Sequence, residues 1–259
     1  MAAQTPTGTL RLGSIAPDFE AVTTTTKTLV RISLTPFRAP SSSTSSSETT
    51  GLSSSRTPRV QTRISTLCII QLLTAEDFTP VCTTELGAFA KLEPEFTKRG
   101  VKLIGLSANT IESHGKWIKD IDEVSSCSLK FPIIGDKERK IAHAYDMIDY
   151  QDTTNVDSKG IAFTIRSVFI IDPKKTIRLI MSYPASTGRN AAEVLRVVDS
   201  LQTGDKHRIT TPINWVPGDD VIVHPSVTNE EAKTLFPDFR IVKPYLRFTP
   251  LPKEKTTAA

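Results

Sequence analysis

The clearest helical pattern in the chain begins at Glu85. Apolar Leu86, Phe89, Leu92 and Phe96 recur at three- and four-residue spacing up to Arg99, and Gly100 follows. This predicts an amphipathic helix stopped by the glycine. Pro94 lies inside it and is expected to kink or split it, because proline lacks the N–H that the ladder needs. Val101 to Ser107 is an almost unbroken apolar run that predicts a buried strand. Ser113 to Val124 then predicts a helix, Phe131 to Asp136 a short strand and turn, and Arg139 to Tyr145 a second short helix. Phe163–Ile171 and Ile177–Tyr183 are apolar runs separated by Asp172-Pro-Lys-Lys175, which predicts a hairpin. A helix over Ala191–Leu201 follows, and from Lys206 the chain has many prolines and only short apolar runs. Helices alternating with strands predict an α/β layered domain.

The composition breaks sharply ahead of this region. Nine of the fifteen residues from Ser41 to Ser55 are serine. Such a stretch buries too little apolar surface to offset its ordering entropy, so about 28–66 reads as disordered. The same region explains the net charge of +4. Between Lys27 and Ala75 six basic residues face one acid, Glu48, a local +5 that leaves the rest of the chain at −1. A basic groove with interleaved aromatics is therefore not indicated, and nucleic acid is not an expected partner. No run of about 18 apolar residues exists, so no membrane-spanning helix is expected. The first fourteen residues lack the apolar core of a signal peptide and carry no Arg before Arg11, which argues against secretion more than against a mitochondrial presequence. Three cysteines, Cys68, Cys82 and Cys127, form no CxxC and no metal pattern, and an odd number favours free thiols.

The string with chemical content is Asp77-Phe-Thr-Pro-Val-Cys-Thr-Thr-Glu-Leu86. It sets Cys82 just before the amphipathic helix. A helix N-terminus offers free N–H groups and partial positive charge, which favour a thiolate. The Thr79 hydroxyl can point back at the sulfur or at a bound oxygen. Pro80 stiffens the turn and shields the sulfur, and Glu85 can orient an arginine brought from elsewhere in the fold.

This ten-residue string resembles the peroxidatic-cysteine loop of the peroxiredoxins. Leu12-Gly-Ser-Ile-Ala-Pro-Asp-Phe19 resembles the family's opening strand. Thr164-Ile-Arg-Ser-Val-Phe169 resembles its arginine-bearing strand, and Tyr183-Pro-Ala-Ser-Thr-Gly-Arg-Asn190 its second arginine. Thr211 to Asp219 and Lys243 to Thr249 resemble the C-terminal arm of the 1-Cys branch, in its peroxiredoxin-6-like, fungal mitochondrial or cytosolic form. The resemblance covers about 8–27 and 76–252. It implies a thioredoxin-like fold with a C-terminal 1-Cys arm, interrupted by a disordered Ser-rich insertion. It also implies a thiol-dependent peroxidase in which Cys82 attacks the peroxide O–O bond and becomes a sulfenic acid. Arg166 would stabilise the thiolate and the leaving oxygen, and Thr79 with the Cys82 N–H would hold the peroxide. Glu85 and Arg189 would form a supporting network beside Pro80. No cofactor and no metal are expected, since no metal, haem or flavin motif is present.

The implied subclass follows from the other thiols. No cysteine follows Cys127, so a resolving cysteine in the C-terminal arm is missing. The reducing thiol then has to come from another molecule, glutathione or a thioredoxin-type protein. Cys127 and Cys68 read as structural thiols. His114 and His143, in predicted helices, read as structural, Trp117 and Trp215 as packing, and Lys137, Arg139 and Lys140 as a solvated helix face. The C-terminal arm implies a homodimer, and the expected compartment is intracellular, cytoplasmic or mitochondrial. The Gly-x-Ser-x-Gly serine of some lipase-active members does not occur, so no phospholipase activity is expected.

The family pattern fails at one place. Its proline and preceding histidine correspond to Ala75 and Thr74, and the helix and central strand expected before them are replaced by the serine-rich tract and Ser65–Leu73. The last run could serve as a strand by apolarity alone. The expected organisation is 1–27 as the N-terminal part of the thioredoxin-like domain and 28–75 as a disordered or aberrant segment. Then come 76–203 as the peroxidase domain and 204–259 as a dimerisation arm. The aberrant segment reads as translated intron sequence or a faulty gene model, with a genuine insertion as the alternative. Two further function classes stay open: a peroxide sensor or holdase chaperone without turnover, and a thiol–disulfide oxidoreductase, against which the missing CxxC counts.

Overall fold

The computed structural model describes residues 10–25, 29–32, 68–73, 76–149, 156, 160 and 164–251, with 29–32 and 68–73 as backbone. The serine-rich tract, Thr74 and Ala75 lie outside the described residues. The chain forms two compact units, Met1–Arg189 and Asn190–Ala259.

The first unit is built on a five-stranded mixed sheet. Its strands are β3 (Cys68–Leu73), β4 (Val101–Ser107), β5 (Ile133–Gly135), β6 (Arg166–Ile171) and β7 (Ile177–Tyr183), in the order β5-β4-β3-β6-β7. β3 runs parallel to β4 and antiparallel to β6, and β6 and β7 form the predicted antiparallel hairpin. β4 and β6 are buried along almost their whole length, as apolar runs in the middle of a covered sheet should be. A preceding pair, β1 (Phe19–Val22) and β2 (Leu29–Ile32), is antiparallel, and Thr23 bridges onto Ile134 at the sheet edge.

Alternation along β4 and β6 sends Ile104, Leu106, Phe169 and Ile171 to one face. There they join Ile141, Ala142 and Tyr145 of the helix region α3 (Lys140–Ala144) in one apolar core. Tyr145 meets Phe169 edge-on at 5.3 Å, and its hydroxyl donates to the Pro17 carbonyl. Helix α1 (Pro80–Lys98) contacts β4 and helix α2 (Ile111–Ser125). Gly87 allows that approach: a Cβ there would meet the Ser125 side chain at 1.9 Å.

Three expectations change. β3, which fell within the segment expected to be aberrant, is the middle strand of the sheet, and β2 also lies within it. The apolar run Cys-Ile-Ile-Gln-Leu-Leu suits a central strand whatever precedes it. Helix α1 is not split at Pro94. Pro94 is exposed, and buried Phe89, Ala90 and Phe96 on either side of it hold the helix. Arg139 is buried in a left-handed conformation (φ 54°) ahead of α3 rather than on a solvated face.

The second unit starts earlier than the expected boundary at 203/204. Its helix α4 (Ala191–His207) is capped by Asn190 and tied to the residues that follow. Arg196 donates to the Trp215 carbonyl, and the Ser200 and Thr211 hydroxyls are 2.6 Å apart. β8 (Ile209–Thr210), β9 (Val221–Val223), β10 (Arg240–Lys243) and β11 (Leu246–Thr249) form a sheet ordered β10-β11-β9-β8. Its core is Ile209, Trp215, Val221, Val223, Val227, Ala232 and Phe236, the last two from the region of α5 (Asn229–Leu235). Helix α5 starts with a capping box between Thr228 and Glu231. These strands are two to four residues long, too short to leave a period-two pattern in the sequence.

Candidate active site

β3 ends at Leu73, and the chain re-emerges at Glu76 to enter α1, so the loop carrying Cys82 sits at the C-terminal end of the middle strand. Thr79 is the N-cap and Pro80 the first helical residue, where a fixed φ and a missing N–H cost nothing. The helix therefore begins five residues before the apolar periodicity at Glu85, and Cys82 lies in its first turn rather than ahead of it. The Thr83 N–H is bonded to the Thr79 carbonyl, so the amides of Val81 and Cys82 precede the first bonded amide of the helix. The Thr79 hydroxyl donates to the Glu76 carbonyl at 3.0 Å, not to the sulfur, which leaves its oxygen able to accept a hydrogen bond. Pro80 is exposed.

Cys82 is 0% exposed. Glu85 follows it by three residues and so shares its helix face. Arg166 opens β6, two residues beyond the Leu72–Val168 pair, which carries it past the end of β3 to the loop. Its Nη1 donates to Cys82 Sγ at 2.9 Å and to Glu85 Oε2 at 3.0 Å, while Nε donates to the Ala185 carbonyl at 2.7 Å. Arg189 holds the other side of Glu85. Its backbone N–H and Nε reach Oε1 at 2.6 and 3.0 Å, its Nη2 reaches Oε2 at 2.8 Å, and Nη1 donates to the Ser167 carbonyl. Glu85, Arg166 and Arg189 are all buried. One carboxylate thus fixes two guanidiniums, and the cluster carries one net positive charge before the sulfur is counted. Negative charge at the Cys82 sulfur would complete the balance, because a buried unpaired charge is costly. Fixed donors around a buried sulfur suit a reaction in which negative charge moves from sulfur onto a departing oxygen.

The other described thiol differs. Cys127 is half-buried just after α2, with Sγ 3.5 Å from Asp122 Oδ1 and 3.8 Å from the Ile121 carbonyl. Burial and the adjacent Asp122 carboxylate raise its pKa, so it stays a protonated thiol near neutral pH. The Cys68 side chain lies outside the described residues.

Sequence reasoning missed a second polar cluster beside the loop. Asp77 accepts from the Ser107 hydroxyl at 2.8 Å and lies 2.7 Å from His114 Nδ1, and its N–H donates to Asn109 Oδ1. Trp117 Nε1–H donates to Thr83 Oγ1 at 2.9 Å. The available signal was the spacing of His114, Trp117 and Ile121 along one face of α2, all three buried. Among the described residues no group of three or more His, Cys, Asp or Glu side chains could hold a metal ion.

The AhpC/TSA family matches residues 67–180, and the C-terminal domain of 1-Cys peroxiredoxin matches residues 200–238. The structure of peroxiredoxin 6 from Arenicola marina superposes with a TM-score of 0.76 at 36% identity, covering 94% of this chain and 99% of that one. The chain belongs to the peroxiredoxins. As a peroxiredoxin it is a thiol-dependent peroxidase, with the thioredoxin-like α/β fold and a 1-Cys C-terminal domain. It is 60% identical over 174 residues to the mitochondrial peroxiredoxin PRX1 of Saccharomyces cerevisiae, 67% of this chain and 66% of that protein. A solved yeast mitochondrial 1-Cys peroxiredoxin, described for its thiol resolution via glutathione and thioredoxin systems, superposes with a TM-score of 0.74 at 45% identity. It covers 93% of this chain and 99% of that one. No helix among the described residues of this peroxiredoxin is long and apolar enough to cross a membrane.

Proposed function

We propose that the chain reduces hydrogen peroxide and organic hydroperoxides through Cys82 as its single peroxidatic thiol. The observation that carries this reading is Arg166 Nη1 at 2.9 Å from a fully buried Cys82 Sγ. The Cys82 thiolate attacks one peroxide oxygen. An S–O bond forms, the O–O bond breaks, and its electron pair leaves on the other oxygen, which takes up a proton as water or an alcohol. Arg166 and the Cys82 N–H face the developing oxyanion. Thr79, whose proton is committed to Glu76, accepts from the hydroperoxyl O–H. Glu85 and Arg189 hold Arg166 in place, and Pro80 fixes the first helical residue.

The sulfenic acid is reduced by two external thiols in turn. The first displaces water to form a mixed disulfide, and the second releases Cys82. The yeast relative favours glutathione or a thioredoxin-type protein as donor and, of the mitochondrial and cytoplasmic compartments expected, the mitochondrial one. Exposed Ile241, Val242 and Tyr245 on and beside edge strand β10 favour a homodimer built through the C-terminal unit. Steady-state peroxide consumption by purified protein with glutathione or thioredoxin is the test. Turnover with either supports the reading. Oxidation of Cys82 with no turnover under any donor would leave the sensor role instead.

The same reading extends to the segment 28–75, whose serine-rich part is read as absent from the native protein. The family match opens at residue 67, and the composition changes there too. The native protein is expected to lack the serine-rich tract, its peptides passing from near Thr26 through a family-like helix and strand into Glu76. Peptide mass spectrometry decides it: abundant peptides spanning Ser41–Arg59 refute the idea.

A further inference from the structure

The loop around Cys82 must satisfy two opposed demands. Attack on peroxide needs the sulfur held against Arg166. Reduction of the sulfenic acid needs a second thiol to reach an atom that is 0% exposed. The loop therefore has to open between the two steps, and something must set how firmly it is closed.

Helix α2 grips the loop at both ends. At Thr83 the grip is the Trp117 indole N–H. At the entry it is His114, whose ring and the Asp77 carboxylate are both fully buried. The hydrogen-bond accounting at His114 is closed. The Ile134 carbonyl, 3.2 Å from Nε2, can only accept, so Nε2 carries a proton. One further proton lies between Nδ1 and Asp77 Oδ2 at 2.7 Å. The other Asp77 oxygen takes the Ser107 proton. Ser107 ends β4 and Ile134 lies in β5, so the pair ties the loop to rigid sheet.

Between the two grips the backbone is strained. Phe78 sits in the left-handed region (φ 57°), where a bulky side chain is rarely found, and it is 51% exposed. Its ring is 6.5 Å from that of Trp117. Relaxing Phe78 releases strain, while the buried polar pair beside it opposes release.

We propose that Asp77 and His114 are a positioning pair that latches the Cys82 loop in its oxidisable form, so that loosening the pair trades peroxide attack for access by the reductant. This rests on Cys82 being the oxidised residue. If that reading is wrong, the wild-type protein itself shows no sulfenic acid at Cys82, which separates the two failures.

The test measures two single-turnover rates: oxidation of the reduced protein by hydrogen peroxide, and reduction of preformed sulfenic acid by dithiothreitol. Dithiothreitol makes the result independent of the biological donor. His114→Ala and Asp77→Ala are expected to slow oxidation at least about tenfold, since small misplacement of a reacting atom is costly, and to speed reduction severalfold. Asp77→Asn keeps an acceptor for Ser107 and a donor for the unprotonated Nδ1 of His114, and should return both rates close to wild type. Ser107→Ala, which leaves the pair intact, should move both rates in the same directions by less, and it serves if the alanine variants at 77 and 114 do not fold. Both rates falling together, neither rate changing, or Asp77→Asn proving no better than Asp77→Ala overturns the proposal.

Discussion

Replacing Cys82 by serine is expected to bring peroxide consumption down to that of a protein-free control. The site is built around the buried Cys82 sulfur. Arg166 donates to Sγ from 2.9 Å, and the buried Glu85, Arg166 and Arg189 cluster leaves one positive charge for negative charge on that sulfur to balance. A serine hydroxyl is scarcely ionised at neutral pH and is the weaker nucleophile. It also cannot accept an oxygen atom and hand it on to a thiol as sulfur does. Cys127→Ser is the matched control. That thiol is held protonated by burial and Asp122, so the first oxidation step should be unchanged. Cys68→Ser should likewise retain the step, since Cys68 opens β3 at the end away from the loop. Peroxide loss and sulfenic-acid trapping on the three variants read the outcome. Wild-type turnover in Cys82→Ser would remove this residue from the mechanism.

What the sequence disclosed depended on how local the information was. Cys82 and Glu85 are three residues apart on one helix turn, and Thr79 with Pro80 is a helix-start pair, so their shared surface is readable from spacing. Even so, the apolar period alone put the helix start at Glu85, because the first turn carries function rather than core residues. The two arginines lie 81 and 104 positions from Glu85. No spacing rule joins them to it, and only the family resemblance brought them to the site. The Asp77–His114 contact spans 37 positions and has no such resemblance behind it, so a buried histidine at the centre of a polar network read as an ordinary structural residue.

The fold shows the same division. Long apolar runs such as β4 and β6, and the β6–β7 hairpin with its turn residues, are where the sequence places them. β3 was harder, because six apolar-rich residues next to a serine-rich tract inherit the character of their surroundings in a compositional reading. Tertiary pairing decides it: β3 has a parallel partner on one side and an antiparallel partner on the other. Short β8 to β11 owe their existence to one another and to Trp215, Val227 and Phe236 packed in the same core, information that is spread over some forty residues.

Arg166→Ala is expected to slow peroxide attack by roughly 10²- to 10³-fold, the cost of losing one fixed donor to a developing oxyanion. The guanidinium serves three acceptors at once: Cys82 Sγ and Glu85 Oε2 through Nη1, and the Ala185 carbonyl through Nε. Removing it takes the positive charge from the sulfur, but Glu85 keeps the Nε, Nη2 and backbone N–H of Arg189. The stability loss should therefore stay near the ~1–3 kcal/mol of a disrupted buried hydrogen bond, well short of unfolding the sheet. Arg166→Lys restores the charge, yet an ammonium has no planar fork to span Sγ, Glu85 and the Ala185 carbonyl together, so it should recover only part of the rate. Arg189→Ala separates structure from chemistry, since Arg189 touches Glu85 and the Ser167 carbonyl but makes no bond to Sγ. It should cost more stability than Arg166→Ala for a smaller loss per folded molecule. The direct readout is the single-turnover rate of Cys82 oxidation by hydrogen peroxide. Arg166→Ala should lower it most, because the sulfur and the departing oxygen lose their nearest fixed donor, and Arg166→Lys should lower it less. An unchanged rate in Arg166→Ala would mean that the 2.9 Å contact does not govern the attack.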